Sequence, residues 1–316
     1  LDPAGEVDEA ERVVAAILAR ATEPRIDELA RRRGGWSTTR LRRGEPAGGE
    51  AMTGIRADAT YLLVGGLGGL GLLTARWLAD AGARRLVLAS RRGVAEGEAA
   101  AALVALRADG VDVRVTRLDV TDAGAVAGLL AQIDAEGPRL RGVFHLAGVV
   151  EDGLLRNQSR ARLERAVAPK LEGALHLDRL TRGRGLEHFV LYGSASALLG
   201  APGMGGYAGA NAALAAVAHA RRQAGERALT VHWGLFSGVG MGKIADVDGA
   251  AAERGLRSFA PDEARRVFLR ALSLEQASVA AIPLDVRAWA AANPLVTRLA
   301  RFAGLVAEVG AAQSGA

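Results

Sequence analysis

The run Leu62-Leu63-Val64 passes directly into Gly65-Gly66-Leu67-Gly68-Gly69-Leu70-Gly71, and Leu72–Leu78 follows as a helical segment. No other stretch constrains the fold as strongly. A short apolar strand, a glycine-rich turn and a helix, in that order, open a dinucleotide-binding α/β sheet. Glycines let the backbone approach a pyrophosphate, and the helix N-terminus meets its charge. In an unrelated α/β domain the same residues would be only a tight loop, so the surroundings decide. From Ala59 onward, short β-rich runs alternate with longer runs rich in alanine and leucine. The sequence predicts strands at Tyr61–Gly65, Arg85–Ser90, Val111–Leu118, Gly142–Leu146, His188–Gly193, Leu229–Trp233 and Val279–Leu284. It predicts helices over 70–81, 96–109, 122–135, 159–182, 206–224 and 261–273. Strands that are apolar nearly throughout, alternating with helices, imply a parallel sheet covered on both faces, a doubly wound α/β fold of the Rossmann type.

The flanks are less regular. Residues 6–20 read as an amphipathic helix with Val13, Val14, Ile17 and Leu18 on one face. Residues 26–41 suit a helix, or a hairpin turning at Gly34-Gly35. Residues 43–58 read as a linker, 237–259 as a glycine-rich lid, 286–309 as a last helix and Gly310–Ala316 as another linker. The length of 316 residues suggests about two domains. With 50% hydrophobic but only 4% aromatic residues, the core is expected to be built of alanine, leucine and valine. No apolar run approaches the ~20 residues of a membrane span. The start, Leu1-Asp2-Pro3-Ala4, does not read as a signal peptide and is taken as the edge of a piece of a longer chain. Cysteine is absent, which excludes disulfides and thiolate chemistry and suits the cytoplasm. The net charge of +5 comes from 40 basic and 35 acidic residues, a mixed surface rather than a nucleic-acid footprint. The runs Arg31-Arg32-Arg33 and Arg40 with Arg42-Arg43 are read as solvated surface or linker, with nucleic-acid contact and docking on an acidic partner as the alternatives.

The second strand ends in Ser90-Arg91-Arg92, where a site for NAD usually places an acid. Two arginines favour a 2′-phosphate and hence NADPH, with Arg91 the chosen contact. Asp119, followed by Val120, has two readings: a hydrogen bond to the adenine amino group, or a cap on the next helix.

Downstream stand a hydroxyl, a phenol and an ammonium: Ser194, Tyr207 and Lys170, with Asn211 four places after the tyrosine. These are the parts needed to reduce a carbonyl. Hydride transfer leaves negative charge on oxygen, and Tyr207 can supply the proton. A free phenol titrates near ~10, so a neighbouring cation such as Lys170 is needed to make it a useful acid. Ser194 would orient the same oxygen by a hydrogen bond. The plain alternatives are a core phenol, a surface lysine and a packing amide, and Ser196 is a local rival to Ser194. His145 is read as structural, and His176, His188, His219 and His232 lack metal-ligand spacing.

Residues 59–290 resemble the ketoreductase domain of modular type I polyketide synthases, within the short-chain dehydrogenase/reductase superfamily. The matching segments are Gly65–Gly71, Leu88–Gly93, His145–Gly153, Pro169-Lys170, Tyr192–Ser196, Tyr207–Asn211 and His232-Trp233-Gly234-Leu235. Ordinary members of the superfamily carry the lysine four residues after the tyrosine. Here Asn211 stands there and the lysine lies upstream, as in the synthase ketoreductases.

The resemblance implies that Ala147 and Gly148 join the cofactor site and that Asn211 helps hold Lys170 and an ordered water. It implies a β-ketoacyl thioester substrate on the phosphopantetheine of an acyl carrier protein, with the other domains of a synthase as further partners, and no nucleic acid or membrane. Val150-Glu151-Asp152 is similar to the Leu-Asp-Asp triplet of B-type enzymes, which give the D-alcohol; Asp152 could instead be a loop or capping acid. The A-type tryptophan is replaced by Leu199, and Gly209 stands where epimerising B-type domains carry proline. The implied organisation is the end of a non-catalytic subdomain over 1–45, a linker over 46–58, the catalytic domain over 59–290, and a helix and linker over 291–316. The rival readings are a reductively inactive structural or epimerase-only domain, and a nucleic-acid-binding Rossmann module.

Overall fold

The computed structural model describes residues 30–32, 35–44, 54–151, 153–239 and 247–314. The helix expected over 6–20, Asp152, most of the first linker and the centre of the expected lid lie outside them.

The described residues fall into two compact units. In the smaller, β1 (Ala30–Arg32) pairs antiparallel with β2 (Gly35–Ser37), Arg31 opposite Trp36, so a strand pair forms where helix and hairpin were both open. The larger unit carries the alternating pattern. Its elements are β3 (Thr60–Val64), α1 (Gly69–Asp80), β4 (Arg85–Ser90), α2 (Glu98–Ala108), β5 (Asp112–Arg117), α3 (Ala123–Glu136) and β6 (Leu140–His145). They continue with α4 (Arg160–Val167), α5 (Gly173–Thr181), β7 (His188–Ser194), α6 (Ser196–Leu199), α7 (Gly205–Gln223), β8 (Leu229–Trp233) and β9 (Leu235–Phe236). After α8 (Val247–Ala252), most of which belongs to the smaller unit, the larger unit resumes with β10 (Ser258–Phe259), α9 (Pro261–Leu272) and β11 (Ser278–Ala281). Seven strands form one parallel sheet in the order β5-β4-β3-β6-β7-β8-β11. The order reverses between β3 and β6, which opens a crevice at the carboxyl ends of those strands, where α/β sheets bind ligands.

Alternation along the strands divides the core. Tyr61, Leu63, Leu86 and Leu88 face α1, α2 and α9 through Trp77, Leu103 and Phe268. Leu62, Val64, Val87 and Ala89 face α3, α5 and α7 through Leu129, Leu177 and Leu214. Both faces are covered, which is why the centres of these strands are apolar on both sides, Tyr61–Val64 and Leu86–Ala89. The scarce aromatics are concentrated on the first face: the ring centre of Trp77 lies 5.3–6.5 Å from those of Trp233, Phe236 and Phe268, and Trp233 lies 5.3 Å from Phe236, mostly as tilted pairs.

Two expected helices differ. The segment 159–182 is not one α-helix. Ser159 caps α4, and Ala168–Glu172 widens into a π-helical turn before α5. Pro169 has no N–H to donate, and the N–H of Gly173 reaches back five residues to Ala168 O. The expected last helix over 286–309 is broken into α10 (Val286–Ala292) and α11 (Ala303–Ser314), joined by two short 3₁₀ turns. Pro294 cannot continue α10, and Asn293 closes it by donating to Trp289 O at 2.9 Å. Helix α11 runs on into the segment read as a linker. Both helices belong to the smaller unit, as does the 2.7 Å bond from Leu41 N to Arg301 O. No helix of the described residues is long and apolar enough to cross a membrane.

A buried arginine ties the second face together. Arg221 of α7 is 1% exposed. It donates to Asp178 Oδ1 and Thr181 Oγ1 at 3.0 Å each, pairs with Glu226 and lies 4.3 Å from the centre of the Phe189 ring. Arg221→Leu is expected to cost about 3 kcal/mol in chemical denaturation, because it strands buried acceptors without a donor. An unchanged unfolding midpoint would count against this.

Candidate active site

The crevice begins with the glycine turn. Gly65 and Gly66 donate to Ala89 O at 2.8 and 3.2 Å, which clips the turn to the end of β4. Gly65 has φ +87°, and a Cβ there would stand 2.8 Å from Ala147 N. A Cβ at Gly71 would lie 2.5 Å from Gly65 O. Glycine is required at both for backbone clearance, not only for conformation. Leu67 is buried and anchors the turn, Leu70 packs partly against the core, and Gly68 and Gly69 are exposed. Gly68 gives α1 no side-chain cap, and no acid stands in its first turn. The positive end of the helix therefore faces the crevice without a protein counter-charge, the situation that suits a pyrophosphate.

At the adjacent strand ends, Ser90 Oγ accepts from Gly93 N at 3.1 Å, and Arg91 and Arg92 are exposed. Asp119 Oδ1 accepts from Thr121 N and Oγ1 at 3.0 and 2.7 Å; these bonds, with the charge of Arg91, hold its carboxyl below the usual range. The cap of α3 is Asp122, which accepts from Gly124 N and Ala125 N. Asp119 is therefore not that helix's cap. Val120 is buried; its carbonyl accepts from His176 Nδ1 at 3.1 Å.

Lys170 sits on the π turn, 4% exposed. Its Nζ donates to Tyr192 O at 2.9 Å, two residues before Ser194 on β7, and lies 5.6 Å from the centre of the Tyr207 ring. Burial pushes its pKa down to about 8. Gly148 lines its path: a Cβ there would meet Lys170 Cε at 2.7 Å. His145 Nε2 is 3.0 Å from Lys170 O. A carbonyl only accepts, so Nε2 carries the proton, and burial holds the ring neutral with a pKa of about 4. Tyr207 lies in the first turn of α7, where Asn211 Nδ2 donates to Tyr207 O at 2.8 Å. Asn211 is fully buried, and its Oδ1 has no hydrogen-bond partner among the described residues.

Ser194 ends β7. Its Oγ accepts from Ser196 N at 3.2 Å and from Ser196 Oγ at 3.0 Å. Glu151 is held by Arg165 at 2.9 Å and Arg162 at 3.5 Å, so the loop after β6 is tied to α4. That loop also meets the one before α7, Gly153 N donating to Gly203 O at 2.8 Å. Leu199 is half-buried on α6.

Sequence reasoning did not find the Tyr192 carbonyl as the anchor of Lys170, nor the hold of His145 on the lysine backbone. The proline before Lys170 was the one available signal, since it disturbs a helix. Nor did it find that Thr74 Oγ1 joins Leu70 O at 2.7 Å and Tyr192 OH at 2.8 Å, which ties the helix of the glycine turn to the strand that holds the lysine.

Residues 59–238 match the family model of the KR domain. The chain is 42% identical over 226 residues to the spectinabilin polyketide synthase system protein NorB of Streptomyces orinoci, covering 70% of this chain and 10% of that protein. It is 38% identical over 266 residues to the pikromycin polyketide synthase component PikAIII of Streptomyces venezuelae, covering 84% of this chain and 17% of that one. A solved A1-type ketoreductase superposes with a TM-score of 0.82 at 34% identity, over 91% of this chain and 60% of its own. The chain thus spans less than a fifth of these two synthase proteins.

Proposed function

The chain belongs to the KR domain family, the ketoreductases of polyketide synthases, and on that premise we propose that it reduces a β-ketoacyl thioester to the β-hydroxyacyl thioester with NADPH. The observation that carries the reading is a buried ammonium, Lys170, beside the phenol ring of Tyr207 in the crevice where the glycine turn presents an uncapped helix end.

A nicotinamide dinucleotide fits the residues present. The turn at Gly65–Gly71 would take its pyrophosphate, Ser90, Arg91 and Arg92 the 2′-phosphate, Asp119 and Val120 the adenine side, and Ala147 and Gly148 the wall beside Lys170. When bound, it supplies the hydride that reduces the ketone carbon. Tyr207 gives its phenolic proton to the resulting oxyanion and Ser194 donates a hydrogen bond to the same oxygen. The Lys170 ammonium would stabilise the phenolate left behind and would also bind the nicotinamide ribose. Asn211, bonded to Tyr207 O, holds the first turn of α7, and its remaining oxygen suits an ordered water that returns a proton to the site.

The stereochemical reading is local. Val150-Glu151-Asp152 and the leucine at 199 support a B-type, D-hydroxy product, although one solved relative of similar fold is an A1-type enzyme. Gly209 supports reduction without α-epimerisation. The substrate would arrive on the phosphopantetheine of an acyl carrier domain, the other domains of a cytoplasmic synthase being the further partners. Residues 1–45 would be the end of a non-catalytic subdomain, 59–290 the catalytic domain and 291–316 the lead toward the carrier.

Incubation with acetoacetyl-N-acetylcysteamine and either NADPH or NADH, followed by chiral chromatography, tests this. The expected result is D-alcohol and a preference for NADPH that Arg91→Ala reduces about tenfold, the worth of one charge-assisted hydrogen bond. L-alcohol would overturn the B-type reading alone. A preference untouched by Arg91→Ala would move the phosphate contact elsewhere.

A further inference from the structure

Ser196 has no part in the scheme above, yet its backbone N–H and its hydroxyl both donate to Ser194. A serine hydroxyl has one proton and two lone pairs. Ser194 Oγ accepts from the Ser196 backbone N–H at 3.2 Å and from Ser196 Oγ–H at 3.0 Å, so both acceptor positions are filled. What remains is the Ser194 proton, which can only be donated. Gly193 on the other side adds no competing group: a Cβ there would stand 2.7 Å from the buried ring of His232. The backbone supports the arrangement, because Ala195 N donates to Trp233 O at 2.8 Å, and the turn into α6 brings residue 196 back over residue 194.

We infer that Ser196 is a positioning residue that sets the hydroxyl of Ser194 as an obligatory donor toward the reacting carbonyl oxygen. The inference rests on the reductase reading. A hydroxyl free to rotate spends part of its time as an acceptor, which repels an oxygen that is gaining negative charge. Filling both lone pairs removes that orientation before the substrate arrives, so no reorganisation is needed as the charge develops. The Ser196 backbone N–H supplies one of the two bonds whatever the side chain, and the hydroxyl supplies the other.

The test is a double-mutant cycle on the whole chain, with acetoacetyl-N-acetylcysteamine and NADPH: wild type, Ser196→Ala, Ser196→Thr, Ser194→Ala and the double alanine variant, each with its thermal midpoint and its NADPH dissociation constant. Ser196→Ala is expected to lower kcat about tenfold with NADPH binding unchanged, and Ser196→Thr, which keeps the hydroxyl, to restore most of it. In the Ser194→Ala background the same change is expected to do nothing, because the group it acts through is gone. A wild-type kcat for Ser196→Ala, or an equal loss in both backgrounds, would overturn the inference while leaving the reductase intact. Full turnover by Ser194→Ala would overturn this inference and leave the reductase standing, whereas no turnover by the wild type would overturn the reductase reading and this inference with it.

Discussion

Tyr207→Phe is expected to remove turnover almost completely, by ~10³-fold or more in kcat, while the chain still binds NADPH with wild-type affinity. The substitution takes away one oxygen. The ring that lies 5.6 Å from Lys170 Nζ remains, as does the bond from Asn211 to the Tyr207 carbonyl, so α7 has no reason to shift. What is lost is the proton given to the oxyanion, an interaction made only as the carbonyl is reduced, and such losses fall on kcat rather than on binding. Rapid quenching of the first turnover checks that chemistry and not product release has slowed. Residual activity within tenfold of wild type would mean that another acid serves the oxygen.

Lys170→Met is expected to act in opposite directions on activity and on stability. The lysine is buried, and desolvation pushes its pKa from 10.5 to about 8. The charged form is therefore disfavoured in the folded chain. At neutral pH the lysine is protonated both folded and unfolded, and its burial costs on the order of 3 kcal/mol relative to a freely solvated ammonium. Methionine fills a similar volume without the charge. The variant is expected to unfold at a higher denaturant concentration than the wild type and to lose ~10²-fold or more in turnover, the signature of a group retained for chemistry at the expense of stability.

The pH dependence follows with definite sign. Between about 8 and 10.5 the unfolded wild-type chain still holds a proton that the folded chain has released, so wild-type stability rises through this window and the advantage of the methionine variant shrinks. Activity moves the other way. The ammonium must be charged to stabilise the Tyr207 phenolate, so kcat/KM is expected to fall above about pH 8. Unfolding curves and kcat/KM taken across the same buffers measure both. Stability that falls through this window would contradict the assigned burial of the charge.

The strand from Tyr61, the glycine turn and the helix behind it were readable because their signals are local: apolar alternation at a fixed period, and glycine where a side chain has no room. The parallel sheet followed from strand–helix alternation, but the order of its strands came only from the structure. The aromatic cluster around Trp233 was not readable, since composition alone gave no way to see that so few rings would meet on one face. The break at Pro294 was written in the chain and passed over, because the apolar pattern continued across it.

For the candidate site, sequence alone selected the residue types: a lysine, a tyrosine, a serine and an amide downstream of a dinucleotide turn. It also determined the layered α/β fold, because side-chain period and backbone freedom are properties of neighbouring residues. Only the tertiary structure decided that Lys170 turns inward on a π turn to meet the carbonyl of Tyr192, that Gly148 clears its path and that Ser196 occupies both acceptor positions of Ser194. Those are contacts between segments brought together by the packing of a parallel sheet. A hydrogen bond between residues 22 apart, or a Cβ with no room to stand, exists only once that packing has set the distances.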